Sequence, residues 1–309
     1  MNPANPNVAA SVRARLLNVA KAQGVDFNQV LVRFALERIL YRLSQSQHAD
    51  RFLLKGALLF TLWYDMPHRA TRDADLLGFG PSDLASVAET FRDIAAVAVD
   101  DGIVFDPASV TVEEIRKEAG YGGVRVIIAG ELAKARCKTQ IDVGFGDAVT
   151  PAPVDSVYPV LLNDLPAPRL RTYPTYTVIA EKLHAIALLG MTNSRLKDYF
   201  DLSVLLERET LDTDLLVRAI KATFERRAMP VPDAVPIGLT DEFANDSSRQ
   251  SLWLAFLKKN ELPSESLPAI VDRLRSALAT ALNRAALLAT GLGSNGSVDR
   301  KTGLRGQDR

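Results

Sequence analysis

The chain reads as an α+β fold, with a small mixed sheet flanked by N-terminal helices and followed by a C-terminal helical domain. Three observations predict it. Apolar residues recur at helical spacing over residues 8–47 and again from Thr177 onward. Between those stretches, over residues 51–147, apolar and polar residues alternate in short runs that suit strands. Six prolines (Pro151, Pro153, Pro159, Pro166, Pro168 and Pro174) separate this mixed part from the second helical part. They predict an extended connector with a domain boundary inside it.

In chain order, Val12, Leu16, Val19 and Ala20 mark a first helix that Gly24 breaks, and Val30, Leu31, Phe34, Ala35, Ile39 and Leu43 mark a second. Phe52–Leu54 is a short apolar run before Gly56, and Ala57 to Trp63 is helical in pattern. Residues 73–79 read as a strand, and Ser82 is placed to cap a helix through Val99. Val124, Val126 and Ile128 alternate with small or polar neighbours, as do Ile141, Val143 and Phe145. These predict an antiparallel pair joined by a loop from about Gly130 to Arg136. Beyond the prolines, helices are expected over 177–189 (stopped by Gly190), from Ser194 to Glu207, from Asp212 to Arg227, over 249–259 and over 267–292, with residues 228–246 irregular. The organisation expected is residues 1–50 as N-terminal helices, 51–150 as the core, 151–174 as connector, 175–292 as helical domain and 293–309 as a disordered polar tail.

Composition excludes several classes. Among 309 residues, 37 Lys and Arg balance 37 Asp and Glu, which rules out a strongly basic nucleic-acid coat or polybasic membrane binder. A single cysteine, Cys137, allows neither a disulfide framework nor a cysteine-rich zinc site. The three histidines lie far apart without metal-ligand spacing. No apolar run approaches a membrane span, and MNPANPNVAA lacks the regions of a signal peptide, so the expected compartment is the cytoplasm. Over residues 1–50, Arg13, Arg15, Lys21, Arg33, Arg38 and Arg42 outnumber Asp26, Glu37 and Asp50. A solvated helix face accounts for the excess; a basic surface for a polyanion is the sharper reading.

The chemistry points to two acidic strands. In TRDADLLGF, Asp73 and Asp75 are two apart, so on a strand both carboxylates project one way while Ala74 and Leu76 face the core. In TQIDVGFGD, Asp142 lies opposite the face shared by Ile141, Val143 and Phe145. If the two strands are neighbours, three carboxylates converge. Their repulsion is relieved by a hard divalent cation such as Mg²⁺, which shares its shell with phosphates. That is an arrangement for phosphoryl or nucleotidyl transfer; taken alone, an Asp-x-Asp pair is more often a turn or a solvated strand edge, and it is the apolar alternation around all three aspartates that argues for strands with one polar face. Gly56 in LLKGALLF sits at a strand–helix junction where backbone N–H groups can face a phosphate, or where the chain simply turns. Lys55 could contact phosphate or lie along the surface. Farther on, Lys182 lies beside the buried stripe of Val178, Ile179, Leu183, Ile186 and Leu189, where it could reach a triphosphate. Asp198 and Asp201 share a face of the next helix, a pattern equally suited to an ordinary salt bridge.

Taken in order, LKGALLF (54–60), HRATRDADLLGFG (68–80), QIDVGFGDAVTP (140–151), YPTYTVIAEKLHAIALLGMTNSRLKDYFDL (173–202) and ATFERR (222–227) resemble the AbiEii/AbiGii toxin family of nucleotidyltransferases, within the DNA polymerase beta-like superfamily. AEK followed by NSRLKDYFDL is the most particular of these segments. The resemblance implies a nucleotidyltransferase core over 51–150 whose site the helical domain completes. It implies that Gly56 and Ala57 form a triphosphate cradle, that Asp73 and Asp75 are paired metal ligands, and that Asp142 is a third ligand and the base. It implies that Lys182 contacts triphosphate and that Asp198 is the acidic residue of the last motif, flanked by Lys197 and Asp201. Ala57 stands where the superfamily often has serine, so a hydroxyl contact to phosphate is lost. Sixteen residues separate Gly56 from Asp73, more than in minimal members. Arg69 and Thr71 share the carboxylate face and are candidates for substrate binding, whereas Arg72 alternates away from it.

The function expected is therefore a Mg²⁺-dependent bacterial toxin with two ions. It would transfer a nucleoside monophosphate from a nucleoside triphosphate to an RNA hydroxyl, tRNA in particular, and be neutralised by an antitoxin encoded nearby. The alternatives are transfer to a protein side chain, and a non-catalytic nucleotide-binding or interaction protein. With no net charge, RNA docking would need local patches, such as the N-terminal helices or Arg218, Lys221, Arg226 and Arg227.

Overall fold

The computed structural model describes residues 6–64, 71–116 and 122–290. Two helices open the chain, α1 (Pro6–Gln23) and α2 (Phe27–Gln45). The core follows with β1 (Phe52–Lys55), α3 (Leu58–Tyr64), β2 (Asp73–Gly78), α4 (Leu84–Ala96), β3 (Ile103–Phe105), β4 (Thr111–Arg116), β5 (Gly122–Leu132) and β6 (Ala135–Phe145). Then come β7 (Val154–Val157), β8 (Arg169–Thr172), α5 (Thr175–Leu189), α6 (Leu196–Arg208), α7 (Thr213–Arg226), α8 (Asp241–Asn245), α9 (Ser247–Lys259) and α10 (Leu267–Ala289). This is the mixed α and β architecture expected, although Arg69, His68 and residues 293–309 lie outside the described residues. Among the described residues, no helix is long and apolar enough to cross a membrane.

The strands form one mixed sheet in the order β3–β5–β6–β2–β1–β8–β7, with β4 also paired to β5. The two acidic strands are neighbours, because β2 runs parallel to β6. Alternation then sorts the sheet into rows. Leu54, Leu76, Val143 and Val124 stand side by side across β1, β2, β6 and β5, and all four are buried. The helices α2 and α4 pack against this sheet, with Phe34, Ile39, Phe91 and Ile94 in the shared core. The row one residue along projects to the other face, and it carries the charges.

Within residues 151–174, two four-residue strands, β7 and β8, flank a turn at residues 161–165. β8 pairs in parallel with β1 through Leu54 and Thr172, and β7 pairs antiparallel with β8 at the sheet edge. The prolines fall outside both strands, where their missing N–H groups cost no ladder bond.

Several expectations need correction. The helix expected from Ser82 to Val99 is α4, capped by Asp83, whose carboxylate accepts from the Ser86 N–H at 2.9 Å. It ends earlier because Val97 has extended backbone angles. The loop expected over Gly130–Arg136 shrinks to Ala133 and Lys134. Both have positive φ, the geometry of a tight two-residue hairpin turn. Exposed charges on the hairpin's far end had broken the apolar alternation there. β3 and β4 were not foreseen, since β3 is three residues long and the edge strand β4 reads TVEEIR. Arg195, not Ser194, precedes α6, and its side chain makes no capping bond. Asp212 caps α7 as expected, accepting from Leu215 N–H at 3.0 Å.

The N-terminal excess of positive charge is in part neither a solvated face nor a polyanion surface. Arg38 and Arg42 are buried on α2 with Glu37 and Asp101. Arg42 grips Asp101 through two bonds of 2.8 and 3.1 Å and also donates to the Ile103 carbonyl. Arg38 donates to the Pro166 carbonyl at 2.8 Å, and Glu37 accepts from Leu161 N–H at 2.7 Å. These charges fasten the proline-rich segment and the stretch before β3 onto α2.

Candidate active site

The charged row reads Lys55, Asp75, Asp142, Arg125 and Glu113 across β1, β2, β6, β5 and β4, each directly opposite the next. Asp73 lies on the same face two residues before Asp75, opposite Gln140. The three carboxylates singled out in the sequence are therefore brought to one sheet face. Asp73 and Asp75 are half-buried and Asp142 is buried. Thr71 donates to Asp73 Oδ1 at 2.8 Å and fixes its orientation, while Arg72 is exposed.

Gly56 has φ +75° and follows β1 directly. A β-carbon on it would stand 2.8 Å from both the Cβ and the Cγ of Asp75. The turn and the carboxylate thus share one tight contact. Ala57 continues the turn, its carbonyl accepting from Phe60 N–H at 3.1 Å.

Arg125 was missed in the sequence. It forms a two-pronged pair with Asp142, Nε to Oδ1 and Nη2 to Oδ2, both 2.9 Å. Gln140 adds a bond to Oδ1 at 3.2 Å. The bond to Asp142 raises the Arg125 pKa against a smaller effect of burial, and the charges of Asp142, Glu113 and Asp73 add to it. A signal was present: with Val124 and Val126 facing inward, Arg125 must share the opposite face.

Lys55 is buried and spans two parts of the chain. Its Nζ donates to Asp147 at 2.7 Å, to both oxygens of Glu181 at 3.3 Å and to the Tyr173 hydroxyl at 3.4 Å. Arg227 closes the cluster on Asp147 at 3.0 Å and on Glu181 at 3.3 Å. Burial works against the ammonium, yet Glu181, Tyr173 and Asp147 outweigh it and raise the Lys55 pKa well above its ordinary value. Burial likewise pushes the His184 imidazole down to about 4, with Arg227 adding to the effect. Arg227 is thus part of the interior, not of a surface patch for RNA. Arg226 is exposed and donates to the Gly146 carbonyl in the turn after β6. Asp147 and Glu181 were not singled out, and Arg227 only as a candidate for RNA docking, although all three fall inside the segments that resemble the toxin family.

Lys182 follows Glu181 on α5. Its Nζ lies between Asp198 Oδ1 at 2.8 Å and Asp201 Oδ2 at 2.7 Å. Arg195 holds the other oxygen of Asp198 at 2.8 Å. Burial would raise the pKa of Asp198, but Lys182 and Arg195 outweigh it and hold the carboxyl below the usual range. Both aspartates are 1% exposed, whereas Lys197 points to solvent. The two clusters are linked by one peptide bond in α5, and Lys55 stands next to Asp75, so the helix carrying Lys182 is tied to the carboxylate row.

The hard oxygens of Asp73, Asp75 and Asp142 are the donor type that a divalent cation of the magnesium class takes. Among the described residues, no three His, Cys, Asp or Glu side chains converge closely enough to enclose an ion. Both oxygens of Asp142 accept from Arg125 instead. The donor set is of the type that cation takes.

Comparison with known proteins agrees with the resemblance read from the sequence. No curated protein matches the chain. Two of the solved structures that resemble it are JHP933 from Helicobacter pylori and an antigenic nucleotidyltransferase-like protein from Paracoccidioides brasiliensis. The first has 16% identity and a TM-score of 0.44 over 83% of this chain and 93% of that one. The second has 12% identity and a TM-score of 0.37 over 80% and 92%. The profile described as nucleotidyl transferase AbiEii toxin, type IV toxin–antitoxin system, matches residues 38–281, a span that holds the charged row, the Lys55 cluster and Lys182 with its two aspartates. This chain belongs to the AbiEii family of toxin nucleotidyltransferases.

Proposed function

We propose that this enzyme is a Mg²⁺-dependent toxin that moves a nucleoside monophosphate from a nucleoside triphosphate to an RNA hydroxyl, with tRNA as the acceptor. The observation that carries the reading is the pairing of Asp75 opposite Asp142, with Asp73 on the same face and Gly56 packed on Asp75. A pair of divalent ions held by Asp73, Asp75 and Asp142 would offset charge on the α-phosphate and on the attacking and leaving oxygens. The turn at Gly56 and Ala57 leaves backbone in place of side chain beside Asp75, where phosphate oxygens can approach. Lys55 is enclosed by Asp147 and Glu181, so in this reading it supports the turn more than it binds phosphate. Thr71 holds Asp73 in position, and Arg69, two residues before it, is a candidate for substrate contact.

Asp142, once released from Arg125, orients the acceptor hydroxyl and takes its proton. The acceptor oxygen bonds to the α-phosphorus, the bond to the bridging oxygen breaks, and pyrophosphate leaves. Lys182, held in place by Asp198 and Asp201, offsets charge on that leaving group. Lys197 and Arg218 are exposed on the helices after β8 and suit a phosphate backbone. A cytoplasmic setting and a cognate antitoxin encoded nearby go with this reading.

The test incubates the enzyme with each α-labelled triphosphate, Mg²⁺, total RNA and protein extract. Label in RNA, lost in Asp75→Asn, is the expected result. Label in protein alone would overturn the RNA acceptor. A second reading, nucleotide binding without transfer, is favoured by the absence of a hydroxyl at Ala57, and it would be supported by triphosphate binding with no pyrophosphate release.

A further inference from the structure

We propose that Arg125 is a latch with two seats: it occupies Asp142 until a divalent cation arrives, then swings to Glu113. The inference rests on the reading that Asp73, Asp75 and Asp142 hold that cation. Its basis is the order of charges along the row. A guanidinium making two parallel bonds to a carboxylate engages both oxygens in the plane where a metal would coordinate. Asp142 therefore already has a cation, one supplied by the next strand.

Arg125 also has somewhere to go. Glu113 stands directly across β4–β5 from it, with Oε1 at 3.7 Å from Nη1. That carboxylate is mostly exposed, at 62%, against 10% for the side chain of Asp142. Arg125 itself is about one-third exposed, so it can turn without disturbing the packed face of the sheet. The movement from one carboxylate to the other is a side-chain rotation on a fixed backbone. An incoming cation bearing two charges competes for Asp142 with a group bearing one, and Glu113 receives the displaced guanidinium. Without a cation, the latch keeps Asp142 paired and keeps Asp73, Asp75 and Asp142 from repelling one another. Arg125 is thus a positioning residue, acting through Asp142.

The experiment measures Mn²⁺ binding to the full chain by the loss of the free-ion paramagnetic resonance signal, with and without a non-hydrolysable triphosphate. Melting temperature serves as the check on folding. Arg125→Gln is expected to bind Mn²⁺ at least tenfold more tightly than the wild type, and Glu113→Gln several-fold more weakly. In an Asp142→Asn background the Arg125→Gln gain should vanish, because no ligand is left to release. Arg125→Lys, which keeps the charge but loses the two-pronged fit, should lie between wild type and Arg125→Gln. Equal affinities for wild type and Arg125→Gln would overturn the latch while leaving the metal site standing. A gain that survives in Asp142→Asn would also overturn it, since Arg125 would then act only as a diffuse positive charge. Absence of Mn²⁺ binding in every variant, with triphosphate present, would remove the metal reading and the latch together.

Discussion

Gly56 and Asp75 are in direct contact across the β1–β2 pair: a β-carbon on the glycine would stand 2.8 Å from the Cβ and Cγ of the aspartate. Gly56 also has φ +75°, a region that L side chains adopt at a cost of roughly 1–2 kcal/mol. Backbone conformation and lack of space thus demand glycine at this position independently. Gly56→Ala should displace the Asp75 carboxylate and lower nucleotide transfer by about 10²-fold or more, as small misplacements at a reacting centre do. The loss of stability should be on the order of 1–3 kcal/mol. Parallel melting curves and transfer assays check both. A variant with unchanged transfer would mean that Asp75 has no role at the reacting centre.

Lys55 joins the first strand of the core to α5 and α7 through Glu181, Asp147 and Arg227. The Lys55 side chain is only 8% exposed, so removing its charge leaves two acidic groups without their full complement. Lys55→Met is expected to cost about 3–5 kcal/mol, the range for breaking a buried ion pair on one side. Lys55→Met combined with Glu181→Gln should cost less than the sum of the two single changes, because the second removes a charge that the first has stranded. Denaturant unfolding of the four proteins measures that coupling.

The parts of the molecule legible in the sequence are those governed by local periodicity. Asp73, Asp75 and Asp142 could be assigned a face because strand alternation depends only on near neighbours. Gly190 and Asp212 could be placed at helix ends because caps are likewise local. The Lys55 cluster could not be assembled this way, since it joins positions 92 to 126 residues apart. Nor could the interior place of Arg38 and Arg42, because their partners Asp101 and Pro166 arrive from distant segments, and an unpartnered arginine reads as surface. Prolines concealed β7 and β8; β8 pairs with β1 and β7 with β8 only in the assembled sheet.

Lys182 lies between Asp198 and Asp201 at hydrogen-bonding distance from each. Its role in holding the helices together and its role toward substrate can be separated. Lys182→Met leaves two aspartates, each 1% exposed, with Arg195 to balance them, and should be clearly destabilised. Adding Asp201→Asn removes one of the two buried negative charges that Lys182 faced and should recover part of that stability. Transfer should stay depressed by about 10²–10³-fold in both, the effect of losing one electrostatic donor at a reacting centre. Recovery of transfer together with stability would assign Lys182 a purely structural role.

Glu37 makes the stability of the N-terminal region depend on pH. Burial raises its carboxyl to about 7, and Arg38, the Leu161 N–H and Arg33 only partly oppose this, while Asp101 adds to it. A carboxyl whose pKa is raised in the folded state holds a proton that the unfolded chain has already released. Its contribution to stability is therefore complete below about pH 4.5, the ordinary value, and is lost as the pH rises through about 7. The difference across that window is on the order of 3 kcal/mol. Glu37→Gln carries no such proton, so the stability of the wild type relative to the variant should fall by about that amount between pH 4.5 and 7. Urea unfolding at half-unit steps measures the slope. A difference that stays flat would show that Arg38 keeps Glu37 ionised throughout. A difference that rises with pH below about 4.5, and is flat above it, would show that the ion pair with Arg38 outweighs burial and holds the carboxyl below its ordinary value.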